Sequence, residues 1–388
     1  MNEPTLGVLG GSLKENESRL PIHPRQLASI DEAIRGRISL ERGYGRRFSF
    51  TDEDLAPLVG GVGSREQLLE DCDVLVIPKP MPADLLEIPE DKVLWGWMHC
   101  VQDEVITQLA IDRRLTLIAW EEMHHWSRDG SFDLHVFHRN NELAGYCSVI
   151  HALQLAGATG EYGRELRAAV IGFGSTGRGA VTGLEAMGVA DVSVLTKREA
   201  AAVAAPIHSM RIVTYERDPD SPGQTLELDS EHESVAEFLA DHDIVVNCML
   251  QDTDAPLIMV TSEELGRFRR GTQFVDVSAD EGMGFEWSRP TSFDEPVFTI
   301  GDGMQCYAVD HSPSLLWDAA TWEISQALMP HLPAAMSGPE TWKADPTLSR
   351  AIEIEDGVVR NPKILSFQGR AAEYPHSRPR SRSSSTLG

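Results

Sequence analysis

Residues 168–199, "AAVIGFGSTGRGAVTGLEAMGVADVSVLTKRE", read as a buried strand, a glycine turn, a helix and a second strand. Gly172, Gly174 and Gly177 form G-x-G-x-x-G, with Ser175 and Thr176 completing the turn, directly after an apolar run and ahead of a helical pattern. The first glycine permits the tight turn, the second lets the backbone approach a pyrophosphate, and the third lets helix and strand pack closely. The amides and positive dipole end of the helix then favour phosphate. Gly188 closes the helix, and residues 191–195 alternate as a valine-rich strand. An acid that grips a ribose 2′-hydroxyl ordinarily ends that strand. Here Thr196, Lys197 and Arg198 stand there, so nothing repels a 2′-phosphate and the site is read as one for NADPH rather than NADH.

Working outward, the preceding sequence alternates short apolar strands with helices: "TLGVLGG", "RISLERGYG", "DVLVIPKP", "KVLWGWMH" and "LTLIAWEEM" with helical stretches between them. Such alternation gives an α/β domain whose sheet is largely parallel, with functional groups at the carboxyl ends of the strands. "NELAGYCSVIHALQLAGA" is a helix bridging into the glycine turn, and "DIVVNCML" and "TQFVDVS" add buried strands beyond it. The expected architecture is α/β, two Rossmann-type domains with parallel sheets flanking a cleft. Residues 1–143 with 306–335 form a discontinuous catalytic domain and 144–305 the dinucleotide-binding domain. Residues 336–388 are a C-terminal extension whose Arg-, Ser- and Pro-rich tail is expected to be disordered from about residue 369.

The 388 residues carry a net charge of -26, which disfavours a nucleic-acid partner. Five cysteines without C-x-x-C spacing indicate neither a disulfide framework nor a zinc knuckle, and fit a reducing cytoplasm. No apolar stretch reaches the ~20 residues of a membrane helix, so no membrane partner is expected. His124, His125, His135 and His138 cluster, but without a cysteine or H-E-x-x-H frame no metal is expected.

Three residues of the first domain stand where strands or turns end: Arg19 in "KENESRLPIHP", Lys79 after "DVLVIP" and His99 after "VLWGWM". A 2-keto acid calls for such a set, with a guanidinium for its carboxylate, an ammonium to polarise its carbonyl and an imidazole to move protons. Glu121 and Glu122 follow the strand "LTLIAW", and Asp280 follows "FVDVSA". Either position serves to hold a substrate ammonium or to orient His99.

With "LGVLGGSLKENESRLPIHP", "WGWMHCVQ", "HVFHRNNELAG" and "YAVDHSPSLL", the chain resembles the alanine dehydrogenase and nicotinamide nucleotide transhydrogenase superfamily from about residue 5 to 330, and within it the N5-(carboxyethyl)ornithine synthases. The resemblance implies NADPH-dependent reductive condensation of a keto acid, pyruvate, with the side-chain amine of ornithine or lysine. It also implies a homo-oligomer. Arg19 and Lys79 match the keto-acid ligands, His99 the acid/base and Asp280 a cofactor-side acid. His311, beside Asp310, stands where alanine dehydrogenases have asparagine and is taken as a substrate contact. Residues 127–134 and 200–235 depart from the synthase pattern. Ammonia-using alanine dehydrogenase chemistry and a non-enzymatic NADPH sensor are the alternatives.

Overall fold

A computed structural model describes residues 3–197, 210–216, 225–228 and 231–378. Arg198 and the last ten residues lie outside the described residues. The chain divides into two compact units, residues 1–137 with 317–388, and residues 138–316.

The first unit opens with β1 (Leu6–Val8), β2 (Ile38–Glu41), β3 (Gly61–Gly63), β4 (Val74–Val76), β5 (Val93–Gly96) and β6 (Thr116–Ala119). They pair in parallel in the order β3-β2-β1-β4-β5-β6. Successive residues enter opposite layers. Val74, Val76, Trp95 and Ile118 join one apolar cluster, and Leu75, Ile77, Leu94 and Leu117 the other. Both faces are therefore covered, as parallel sheets require. Strands β7 (His124–Trp126) and β8 (Phe132–His135) form a separate hairpin, whose turn is residues 127–131, so the 127–134 stretch is the turn and most of β8.

The second unit holds β9 (Arg167–Ile171), β10 (Asp191–Thr196), β11 (Met210–Glu216), β12 (Thr225–Leu228), β13 (Glu231–Ser234), β14 (Ile244–Asn247), β15 (Ile258–Val260), β16 (Gln273–Asp276), β17 (Gly284–Phe285), β18 (Val297–Ile300) and β19 (Met304–Tyr307). Its main sheet runs β13-β12-β11-β10-β9-β14-β16-β19-β18 and is parallel from β11 to β19, with antiparallel strands at both edges. Helices His138–Leu155 and Ser175–Ala186 touch almost backbone to backbone. A Cβ placed on Gly179 would lie 1.7 Å from the Glu142 carbonyl oxygen, and one on Gly145 would lie 2.0 Å from that of Thr176.

The chain then returns to the first unit through helix Trp317–Leu328, whose Ile324 and Leu328 enter that core. Strand β20 (Ile352–Glu355) adds antiparallel to β6, and β21 (Val358–Val359) to β20. The boundaries thus differ from those read in the sequence. β19 pairs with β16, which keeps residues 306–316 in the second unit, and β20 makes residues 336–378 part of the first sheet's unit rather than an appendage. The expected disorder from about 369 is corrected for residues 369–378. Arg370 and His376 are buried, and Val359 N–H donates to His376 Nε2 at 3.0 Å. No helix among the described residues is long and apolar enough to cross a membrane.

Candidate active site

In the first unit the sequence-predicted residues follow neighbouring strands at one edge of the sheet. Arg19 lies in the loop after β1, Lys79 after β4, His99 after β5 and Glu121 after β6. Because β1, β4, β5 and β6 are consecutive and parallel, all four loops leave the same end. Trp97 links three of them. The Arg19 guanidinium stacks 4.7 Å from its ring centroid, and its N–H donates to the Pro78 carbonyl, next to Lys79, at 3.0 Å. His99 follows two residues later.

Arg19 is 4% exposed, and its placement is fixed on both sides. Its Nε and Nη2 donate to the two oxygens of buried Glu17 at 2.8 and 2.5 Å. Leu20 N–H donates to Thr321 Oγ1, and Tyr44 Oη both donates to and accepts from the Ile22 backbone. Lys79 is half-buried, and His99 is exposed with φ +50°. That left-handed conformation is uncommon for a residue with a Cβ. The Glu121 carboxylate accepts the His99 N–H and, at 3.2 Å, the Met98 N–H. Glu121 therefore supports the His99 backbone, and the sequence offers it either as a substrate contact or as an orienter of His99. Burial, and then the nearby Glu353 carboxyl, push the Glu121 carboxyl well above the usual carboxylate range. Glu353, on β20 and accepting from Asn361 Nδ2 at 3.0 Å, is itself raised to about 7, chiefly by burial.

The second unit supplies the glycine turn. Gly172 has φ +90°, and its N–H donates to the Leu195 carbonyl. A Cβ on Gly177 would stand 2.2 Å from the Gly172 carbonyl oxygen, so that glycine is needed for packing. A Cβ on Gly174 would meet no protein atom within 4 Å. No side chain caps helix Ser175–Ala186 at Gly174, and its first-turn amides, Ser175 and Thr176 included, lie outside the helix's own hydrogen bonds. These residues fit a dinucleotide pyrophosphate. Thr196, at the end of β10, is buried, and exposed Lys197 holds its ammonium 5.6 Å from the Tyr215 ring centroid. No acid of β10 reaches the position the ribose would need, since the strand's one acid, Asp191, is its first residue.

Asp280 follows β16 and is half-buried. Burial, reinforced by the Asp276 carboxylate, raises it to about 6. His311 is 1% exposed, with Nδ1 at 2.8 Å from Asp310 Oδ1 and its ring edge-on to Phe293. The histidine cluster is divided. His124 and His135 pack across the β7–β8 hairpin with ring centroids 4.9 Å apart, and His138 begins helix His138–Leu155.

A model for the alanine dehydrogenase/PNT N-terminal domain matches residues 11–140, and one for the C-terminal domain matches residues 154–362. The chain belongs to the alanine dehydrogenase/PNT family. Among relatives, the alanine dehydrogenase of Mycobacterium tuberculosis is 24% identical over 377 residues, covering 92% of this chain and 95% of that protein. The N(5)-(carboxyethyl)ornithine synthase of Clostridium botulinum is 21% identical over 328 residues, covering 81% and 92%. Among solved structures, an L-alanine dehydrogenase superposes with a TM-score of 0.74 at 20% identity, covering 94% of this chain and 98% of that one. A transhydrogenase from Sinorhizobium meliloti gives 0.66 at 19%, covering 92% and 99%. The chain is thus an oxidoreductase of a family that uses nicotinamide nucleotides.

Sequence reasoning missed Glu17, Trp97 and Asp276. Only Glu17 left a usable signal, an acid two residues before the candidate arginine. Trp97 and Asp276 look like ordinary strand-end residues until the sheets are assembled.

Proposed function

We propose that the chain catalyses NADPH-dependent reductive condensation of a small 2-keto acid, pyruvate, with the side-chain amine of a diamino acid, ornithine or lysine, giving an N-(1-carboxyethyl) amino acid. The observation that carries this reading is the gathering of Arg19, Lys79 and His99 at the ends of consecutive parallel strands, in a chain whose glycine turn is followed by Thr196 and Lys197 rather than an acid. Similarity to the carboxyethylornithine synthase supports the choice of amine.

Arg19, oriented by Glu17 and Trp97, binds the keto-acid carboxylate, and Lys79 polarises the carbonyl. The neutral amine attacks that carbon to form a carbinolamine. His99 moves the protons that release water and leave an imine. A reduced nicotinamide held at the glycine turn would supply the hydride which, with one proton, takes the imine to the secondary amine. The protein's contribution is proximity and charge placement.

The test is NADPH oxidation with pyruvate, glyoxylate or 2-oxoglutarate, each paired with ornithine, lysine, arginine or ammonia, followed by product mass. One diamino acid turning over with the mass of reductive N-alkylation establishes the reading. Turnover with ammonia alone replaces it with alanine dehydrogenase chemistry, which the 24% relative favours. NADPH binding without oxidation in any pair replaces it with a sensor.

A further inference from the structure

The loop that carries Asp280 is held by a carboxylate the reaction above does not use. Asp276, the last residue of β16, is fully buried. Its Oδ1 accepts from Asn247 Nδ2 at 2.9 Å and from Ala279 N–H at 3.1 Å, and its Oδ2 accepts from Ser288 Oγ. Asn247 ends β14 and Ser288 lies beyond β17, so one side chain ties two strand ends and the far side of the 277–288 loop. Ala279, whose amide it receives, has φ +53°. A left-handed alanine costs roughly 1–2 kcal/mol and persists only where its surroundings over-determine it. Here they do. Val277 N–H donates to the Asn247 carbonyl at 2.9 Å, and Ser278 Oγ to the Met249 carbonyl at 2.5 Å.

We propose that Asp276 is a positioning residue for Asp280: by accepting the Ala279 amide and clamping Asn247 and Ser288 it fixes the turn that presents the Asp280 carboxyl. The inference rests on the reductive reaction proposed above with Asp280 as its cofactor-side acid, the role the family resemblance implies. The titratable groups around Asp276 are Asp280 and the thiols of Cys248 and Cys306, with Arg289 acting on Cys306. Burial drives both thiols up and raises Asp276 itself to about 6, so the charge that Asp280 meets is fully present only above that pH.

Two substitutions separate geometry from charge. In Asp276→Asn the amide oxygen still accepts from Asn247 and Ala279, and the new NH₂ donates to Ser288, so the loop is kept while the charge is lost. In Asp276→Ala both go. In the full-length protein, Asp276→Asn should retain kcat within about threefold while the acid limb of its pH profile moves down by about half a pH unit or more. Asp276→Ala should lose about 10- to 100-fold in kcat. NADPH affinity should stay within about threefold and hydrogen exchange in residues 277–288 should quicken. An Asp276→Ala protein with unchanged kcat and exchange, or an Asp276→Asn protein that loses as much kcat as Asp276→Ala, overturns the proposal. Should the wild type turn over no substrate pair while Asp276→Ala still loosens the 277–288 loop, the reaction fails and the loop-positioning role stands.

Discussion

Gly174 and Gly177 belong to one motif but face different neighbours, so alanine at each should fail in a different way. Gly174 has φ -92° and ψ -160°, which alanine adopts without strain, and its added Cβ would enter open space. The folded chain should lose only the difference between glycine and alanine at a helix N-cap, about 0.5–1 kcal/mol. The methyl group stands where the backbone would approach the pyrophosphate. Displacing one charge-assisted hydrogen bond costs about 1.5–3 kcal/mol, or roughly 10- to 150-fold in Kd. Gly177→Ala would place its Cβ 2.2 Å from the Gly172 carbonyl oxygen and 3.1 Å from its carbon, a backbone clash that no side-chain rotation relieves. Such overpacking costs about 3 kcal/mol or more, which for a domain of this size lowers Tm by about 6–12 °C. The assay is an NADPH fluorescence titration beside thermal unfolding. Gly174→Ala should weaken binding with Tm within about 3 °C of wild type, whereas Gly177→Ala should lose stability first. A Gly174→Ala protein that binds NADPH normally would refute the assignment of this turn to the pyrophosphate.

Three further outcomes follow from the same geometry. His99→Ala should lower kcat by about 10²- to 10⁴-fold with NADPH affinity unchanged, and full turnover by that variant would remove His99 from the chemistry. Thr196→Asp restores an acid at the end of β10 and should shift the NADPH-to-NADH ratio of kcat/KM toward NADH by about tenfold or more, measured with both cofactors. Glu353, raised to about 7 by burial, binds its proton more tightly in the folded than in the unfolded chain. Its stabilising contribution is therefore complete below its ordinary value and disappears as pH rises through 7. Glu353→Gln, neutral throughout, should be more stable than wild type at pH 8 by on the order of 3 kcal/mol and nearly equal to it at pH 4, read from urea midpoints.

What could be read in the sequence was local in the chain. The glycine turn announces itself because its three glycines, its strand and its helix are contiguous. Lys79, His99 and Glu121 were legible because each ends an apolar run. The buried partners were not, because they meet across the sheet. Glu353 illustrates the reason. "IEIE" alternates, and a regular strand of that pattern would expose its glutamates. The pairing of β20 with β6 shifts register between Ile352 and Ile354, and all three residues from 352 to 354 become buried. A one-residue irregularity of this kind turns a side chain to the other face and leaves no trace in the composition. The domain boundaries were displaced for a similar reason, since the pairing of β19 with β16 and of β20 with β6 decides them.

The two units share a device that accounts for where these acids are buried. His99 in the first unit and Ala279 in the second are both left-handed residues with a Cβ, both follow a parallel strand, and each gives its amide to a carboxylate, that of Glu121 or of Asp276. Each conformation costs roughly 1–2 kcal/mol, and the amide-to-carboxyl hydrogen bond offsets much of that, at about 0.5–1.5 kcal/mol for a neutral acceptor and more for an ionised one. Burial raises both acids, which means that neither is placed where a carboxylate is most stable. Their positions make sense as the cost of fixing the neighbouring turn. The same logic separates them from Arg114 and its partners Glu90 and Asp91, an exposed ion-pair cluster that satisfies itself and positions no turn end of the candidate site. Substitution of Glu121 should therefore disturb the His99 turn as substitution of Asp276 disturbs the 277–288 loop.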